Sequence, residues 1–457
     1  MKFPIPLIER HTSIKETIQR IERTPFNTGF IMSEQGVYLG GVFTTDLRRL
    51  LISGVSAEAE VGAYPMKYTY RVEERSQQDR KQLDALLADL QLHGVMYVPV
   101  VSSVGEIQDI LSVDDIAATK SGASKLLTDP EKRVLVVGGA GYLGSMLTRK
   151  LLARGYRVRV LDSFIYGRKS VEDLAGNERC EVLEGDLRNI HTCVNALEGV
   201  NAVILLAAIV GDPASKVRPT ETIETNVLAA QALASAAKLQ HISRFVYAST
   251  CSVYGVGADL LDEDAALNPV SLYARTKIAS EEIILKMGDS YFAPTILRMG
   301  TLYGYSHRMR FDLVVNTMSM KSFTDKKILV FGGKQWRPLL HVEDAAEVYM
   351  RCIEADLKNV GNQIFNVGSD EQNYQIEEIA DRISTTLGGI PIQRDDSSLD
   401  ARDYRVSFTK VRETLGFRPQ ASVEGAASTI FGRLEDGTIK NPAQRIYYNH
   451  YFDAAED

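Results

Sequence analysis

Tyr273 and Lys277 stand four residues apart in the run Tyr273-Ala274-Arg275-Thr276-Lys277. On a helix that spacing puts the phenol and the ammonium on one face. A cation beside a phenol favours the phenolate and lowers its pKa. The expected chemistry is general-base removal of a proton from an alcohol near neutral pH. The pair alone says little, because the same spacing arises often by chance. It gains meaning from what precedes it in the chain.

The apolar run Val134 to Val137 leads straight into Gly138-Gly139-Ala140-Gly141-Tyr142-Leu143-Gly144. Gly138, Gly141 and Gly144 satisfy the spacing GxxGxxG, and Gly139, Gly141 and Gly144 satisfy GxGxxG. Glycine there permits a tight turn, close approach of backbone to a pyrophosphate and close helix–strand packing. The amphipathic stretch from Ser145 to Gly155 is expected to be a helix, with the pyrophosphate on its N-terminus. The next apolar run, YRVRVLD, ends in Asp162, 18 residues beyond Gly144. An acid at that distance accepts hydrogen bonds from an adenosine ribose and repels a 2′-phosphate. NAD is therefore expected over NADP, although Arg168 and Lys169 lie close by. Gly138, Gly141, Tyr142, Leu143, Gly144 and Asp162 are the candidate cofactor-binding residues.

Further along, EVLEG, AVILLAA, RFVYAST and APTILRM follow RVLVVGG and YRVRVLD as strand candidates, with helix-length amphipathic stretches between most of them. Strands alternating with helices imply βαβ units and a parallel sheet, an α/β fold.

In this context the chain from residue 133 onward resembles the extended short-chain dehydrogenase/reductase family, in its nucleotide-sugar epimerase and dehydratase branch. The matching stretches are VVGGAGYLG, EGDLRN, LLAAIVGDP, ETNVLAA, FVYASTCSVYG, LNPVSLYARTK, LRMGTLYG and QWRPLLHVEDAA, in the family's order. The resemblance implies a Rossmann-type doubly wound parallel sheet with a small C-terminal substrate lobe over residues 133–440, then a tail over 441–457. It implies NAD as cofactor and a nucleotide sugar as substrate. Tyr273 becomes the catalytic base, Lys277 also holds the nicotinamide ribose, and Thr250 bonds the reacting oxygen. Asp186 and Leu187 are expected beside the adenine, and Ala207 and Ala208 along the cofactor, although LLAA replaces the usual HLAA. Asn226 is expected as a buttress. Arg310, Arg337 and Arg402 are candidate forks for the substrate diphosphate, and His341 reads as a helix start. A homodimer through paired helices, one bearing Tyr273, is the family's common assembly.

The 4,6-dehydratases of this family place an acid and a carboxylate directly after the catalytic Thr. Here Cys251 and Ser252 occupy those positions, so dehydration is not expected. The leading expectation is epimerisation at C4 through a 4-keto intermediate. SHRMRFDLVVN and ARDYRVS resemble a subgroup that includes C4 dehydrogenases, so a one-way dehydrogenase or ketoreductase is the alternative. A non-catalytic sensor of NAD(H) and adenylates is a third reading, opposed by the intact Thr250, Tyr273 and Lys277.

Residues 1–120 carry a helix–strand–turn–strand–helix pattern twice. The first copy has Ile14, Ile18 and Ile21 at helical spacing, a strand Gly29 to Met32, then Tyr38 to Leu51 as strand into helix. The second has a helix over about Lys81 to Leu92, a strand Val95 to Val101, then Ile107 to Ala117. This α+β repeat resembles a cystathionine β-synthase (CBS) domain pair, which implies an adenine nucleotide between the halves. Ser112 and Asp115 match its ribose-binding turn. Asp46 matches in the first copy, where it is expected at a helix N-cap, but Phe43 replaces the hydroxyl. Such a pair offers a second self-association surface, and hence a tetramer. Residues 121–132 read as a linker.

The formal charge of −7 over 457 residues excludes a broad phosphate-tracking surface, so no nucleic-acid partner is expected. Four scattered cysteines without a CxxC pair argue against a zinc cluster, and no metal is expected. The N-terminus lacks an apolar signal region and no run of 18 apolar residues occurs, so a cytoplasmic protein without a membrane partner is expected.

Overall fold

The computed structural model describes residues 5–24, 28–64, 68–73, 86, 90, 95, 97–113, 132–289, 291–395 and 402–450. The chain divides into two compact units, Met1–Leu126 and Leu127–Asp457. Residues 121–131 of the expected linker lie outside the described residues.

In the first unit, helix α1 (Ile14–Glu22) begins at Ser13, whose hydroxyl accepts from the Glu16 amide, and it buries Ile14, Thr17 and Ile21. Strand β1 (Leu7–Glu9) runs parallel to β2 (Thr28–Met32), which forms a hairpin with β3 (Tyr38–Phe43). The same arrangement recurs: β4 (Val72–Glu73) is parallel to β5 (Tyr97–Val101), which forms a hairpin with β6 (Ile107–Ser112). Gly36 and Gly105 take positive φ at the two hairpin turns, a conformation that costs glycine least. Antiparallel bridging of Val37 to Glu106 joins the two turns. The repeat seen in the sequence is thus present in strand pairing.

Helix α2 (Thr44–Ile52) corrects one expectation. Its N-cap is Phe43, and Asp46 lies inside the first turn. The extended backbone reaches Phe43 as the end of β3, so the helix starts before the carboxylate. Asp46 still favours the helix dipole from there. The helix expected over Lys81 to Leu92 is described only at Leu86 and Leu90, and Asp115 lies outside the described residues.

The second unit is built on a seven-stranded, all-parallel sheet. Its strands are β7 (Arg133–Val137), β8 (Arg157–Asp162), β9 (Cys180–Glu184), β10 (Ala202–Leu205), β11 (Arg244–Thr250), β12 (Ala293–Met299) and β13 (Gln363–Val367), in the spatial order β13-β12-β11-β10-β7-β8-β9. The strands of its centre are almost wholly apolar and buried, as a sheet covered on both faces requires. Strand β13 has no counterpart among the sequence-based strand candidates. Gln363 and Asn366 interrupt its apolar pattern, yet Asn366 is fully buried and accepts from the Tyr254 hydroxyl at 2.8 Å.

Strand order reverses between β7 and β10, which opens a crevice at their carboxyl ends. A smaller lobe faces that crevice. Its helices Val314–Thr324, Ile376–Thr386 and Val423–Glu435 pack around Met318, Ile379, Ile383 and Ala427. Among the described residues no helix is long and apolar enough to cross a membrane.

Candidate active site

Helix α3 (Tyr142–Ala153) follows Gly141 directly, so Gly144 lies in its first turn instead of before it. Gly138 has φ +85°, and a Cβ there would stand 2.6 Å from the Ala207 amide nitrogen. A Cβ on Gly144 would fall on the Gly138 carbonyl oxygen. No side chain caps the helix. Its first amides therefore open onto a cradle that only bare backbone can form, the shape a dinucleotide pyrophosphate requires. Asp162, at the end of β8, accepts from the amides of Ala140 and Phe164, both at 2.9 Å. Burial raises its carboxyl above the ordinary value against those two bonds.

Tyr273 and Lys277 lie on α4 (Leu272–Lys286), which Ser271 caps by accepting from the Ala274 amide. Both side chains are buried. The Lys277 ammonium donates to the Ala248 carbonyl at 2.8 Å and sits 4.7 Å above the Tyr247 ring. Burial pushes it down to about 7. Thr250, at the end of β11, lies close enough to the Tyr273 phenol to oppose the effect of burial on it. The expectation that Lys277 lowers the Tyr273 pKa is not met. Burial holds the phenol above its ordinary range, and Arg310 is the leading opposing influence. The ammonium lies 5.9 Å from the Tyr273 ring, with its hydrogen bond directed elsewhere.

One turn beyond Lys277, Glu281 pairs with Arg298 of β12 through bonds of 2.7 and 3.1 Å, and both are almost fully buried. Ser249 of β11 donates to the same carboxylate. Asn226 lies in a π-turn, Glu224–Ala229, and exchanges bonds with both backbone groups of Ile209 while reaching Thr276. It ties the loop after β10 to the Tyr273 helix.

A description of the NAD dependent epimerase/dehydratase family matches residues 134–368. The chain belongs to this family. It is 29% identical to a UDP-N-acetyl-alpha-D-glucosaminuronate decarboxylase of Bacillus cytotoxicus over 66% of this chain and 97% of that one. It is 27% identical to a UDP-glucose 4-epimerase of Lactobacillus helveticus over 63% of this chain and 92% of that one. Among solved structures, MoeE5 in complex with UDP-glucuronic acid and NAD aligns with a TM-score of 0.59 at 26% identity, covering 67% of this chain and 99% of that one. The chain is thus an enzyme of an NAD-dependent family.

A single cavity of about 620 Å³ gathers every site residue expected in the second unit. Gly138, Gly141, Tyr142, Leu143, Gly144, Asp162, Asp186, Leu187, Ala207 and Ala208, the expected cofactor residues, line it. Thr250, Tyr273, Lys277, Arg310, Arg337 and Arg402 line it too, and the Arg310 guanidinium stands 5.9 Å from the Tyr142 ring. Asp186 is held by a bidentate bond from Arg188. Arg310 is already paired with Asp312, at 2.9 and 2.8 Å. Arg337 donates to the Trp336 and Arg402 carbonyls, and the Arg402 guanidinium stands 3.7 Å from Asp212.

Cys251 turns away from the site, its thiol donating to the Arg298 carbonyl. Ser252 remains on the cavity wall. His341 caps the helix Val342–Glu354 by accepting from the Glu343 amide. Tyr166, Arg308 and Asn449 are among the lining residues that escaped sequence reasoning. Arg308 lies two residues from Arg310 in the same stretch, and nothing in spacing separates the two.

The buried lysine yields a stability prediction. The unfolded chain holds the Lys277 proton up to about 10.5, and the folded chain only to about 7. Between those values the unfolded state binds the extra proton, so this lysine's penalty on folding is full below pH 7 and fades as pH rises. Lys277→Met removes the penalty. In NAD-free protein, its melting temperature relative to wild type should fall by at least about 2–4 °C between pH 7 and pH 10. A difference that stays flat across this window would contradict the burial of a titrating ammonium.

Proposed function

We propose that this enzyme is an NAD-dependent nucleotide-sugar epimerase acting at C4. The observation carrying the proposal is that Thr250, Tyr273 and Lys277 line one cavity together with the glycine turn, Asp162 and the three arginines. The bare-backbone cradle and Asp162 fit a dinucleotide. When bound, NAD supplies the hydride acceptor and donor, with a positive charge at its oxidised nicotinamide. Tyr273, its phenolate favoured by that positive charge against the burial that raises it, takes the proton of the C4 hydroxyl as general base. Thr250 donates to the same oxygen as it becomes a carbonyl. Lys277 holds the nicotinamide ribose. Tyr273 then returns the proton to the C4 oxygen after the keto sugar has turned its other face. Arg337 and Arg402, with Arg310, bind the substrate diphosphate as cationic forks.

Position 251 supports epimerisation over elimination. A 4,6-dehydratase needs an acid–base pair opposite C5 and C6. Burial pushes the Cys251 thiol far up and the thiol faces away, while the Ser252 hydroxyl is a weak acid. The protein should convert one member of a panel of UDP-, GDP-, CDP- and dTDP-sugars to its C4 epimer, read by NMR, without added oxidant. Tyr273→Phe should slow this by roughly 10²–10⁴-fold. A keto sugar accumulating in proportion to consumed NAD would instead establish a one-way dehydrogenase. Full activity of Tyr273→Phe would remove the catalytic assignment.

For the first unit we propose a CBS pair that binds an adenine nucleotide and adjusts activity or self-association. The twice-used pairing of one parallel strand with one hairpin supports this reading. Calorimetry on the full chain with AMP and ATP should give a binding isotherm that Ser112→Ala weakens. Absence of heat with both nucleotides would leave the unit a scaffold.

A further inference from the structure

The loop from Gly304 to Asp312 is pinned onto the first turn of α3. The Tyr142 hydroxyl donates to the Gly304 carbonyl at 2.6 Å, and the Ser306 hydroxyl donates to the Tyr142 carbonyl at 2.5 Å. Asn316 holds the Arg310 carbonyl from behind at 2.9 Å. Two arginines, 308 and 310, project from this loop, and their surroundings differ. Arg310 has its own carboxylate in Asp312. Arg308 has none.

Arg308 is 93% buried, its relative exposure being 7%. One terminal nitrogen donates to the Asn449 side-chain oxygen at 2.7 Å. Its Nε and its other terminal nitrogen are buried without an acceptor among the described residues. Those two nitrogens form one edge of the guanidinium, with parallel N–H groups spaced for two oxygens of a phosphate. The plane itself is set by the Tyr166 ring, 3.9 Å from the central carbon. Burial and the neighbouring Arg310 push the group down to about 10, so it remains a cation at neutral pH. A buried cation with two unmet donors is costly unless an anion meets it.

Its position decides which anion. Arg308 lies over Tyr166, four residues past Asp162, on a loop bonded to Tyr142 directly after Gly141; all of these line the cavity, and Asp162 acts on the Arg308 charge. We propose that Arg308 is a ligand of the dinucleotide's diphosphate, closing it from the lobe side against the uncapped N-terminus of α3. The proposal rests on NAD occupying this crevice. Asn449 is the positioning residue. Besides receiving Arg308, its backbone carbonyl accepts from the Tyr166 hydroxyl at 2.8 Å, and its side-chain amide reaches the Val210 carbonyl at 3.5 Å. A residue near the end of the chain thus fixes the fork, and with it the mouth of the cofactor crevice.

Two diphosphates share this chemistry, the cofactor's and the nucleotide sugar's, and the test separates them. Full-length protein stripped of NAD is titrated with NAD⁺, ADP-ribose, adenosine and UDP. Arg308→Met should weaken NAD⁺ and ADP-ribose by about 10- to 100-fold, with adenosine and UDP within twofold of wild type. Arg308→Lys, which keeps the charge without the fork, should weaken ADP-ribose by a smaller factor, and it decides the matter if the methionine variant does not fold. Asn449→Ala should also fall between wild type and Arg308→Met for ADP-ribose. Wild-type affinity for ADP-ribose in the Arg308 variants overturns the proposal, as does a loss confined to UDP. A wild-type protein that binds neither NAD⁺ nor ADP-ribose removes the cofactor reading and this proposal with it.

Discussion

The Glu281–Arg298 ion pair is nearly out of water, and the register of the catalytic helix depends on it. Two buried charges gain little net stability from each other, but losing one partner strands the other at a cost of about 3–5 kcal/mol. That asymmetry makes the pair a locating device. It fixes α4 against β11 and β12 through Ser249 and Arg298, one turn from Lys277 and two from Tyr273. Lys277 then has the Ala248 carbonyl within reach. The Arg298 guanidinium also donates to the Tyr254 hydroxyl at 3.0 Å, which in turn donates to Asn366 of β13. One polar chain therefore runs through the interior from the catalytic helix to the edge of the sheet.

The crevice is governed by a different constraint, the closeness of backbone to backbone. Gly138 and Gly144 leave no room for a side chain. Around this turn the protein has placed a second layer, the Gly304–Asp312 loop, bonded to Tyr142 at both its hydroxyl and its carbonyl. The lobe that carries the expected substrate forks is thereby tied to the helix that carries the cofactor cradle.

The parts legible in the sequence are those in which local geometry leaves few residue choices. A glycine turn, an acid at the end of the next strand and a Tyr–Lys pair one turn apart each encode a backbone or face constraint, and they come together on one cavity wall. Features that depend on tertiary context were not legible. Strand β13 is hidden because Asn366 is satisfied from elsewhere in the fold. Arg308 and Arg310 are alike in sequence and almost equally buried, and only the bonds of Arg310 to Asp312 separate them. The helix starts near Asp46 and Gly144 fall earlier than expected because the end of β3 sets the first and the glycine turn sets the second, with no capping side chain at either. The lowering of the Tyr273 pKa by Lys277 failed for the same reason: spacing fixes a shared face, while desolvation depends on everything packed around it.

A nucleotide sugar carrying deuterium on C4 tests the central claim, that hydrogen leaves this carbon and returns to it within the enzyme. Turnover in ordinary water, followed by deuterium NMR, should place the label on C4 of both epimers with none in solvent. Loss of the label to water would mean that C4 is deprotonated and not oxidised, and the roles given to Tyr273, Thr250 and the cofactor crevice would be wrong.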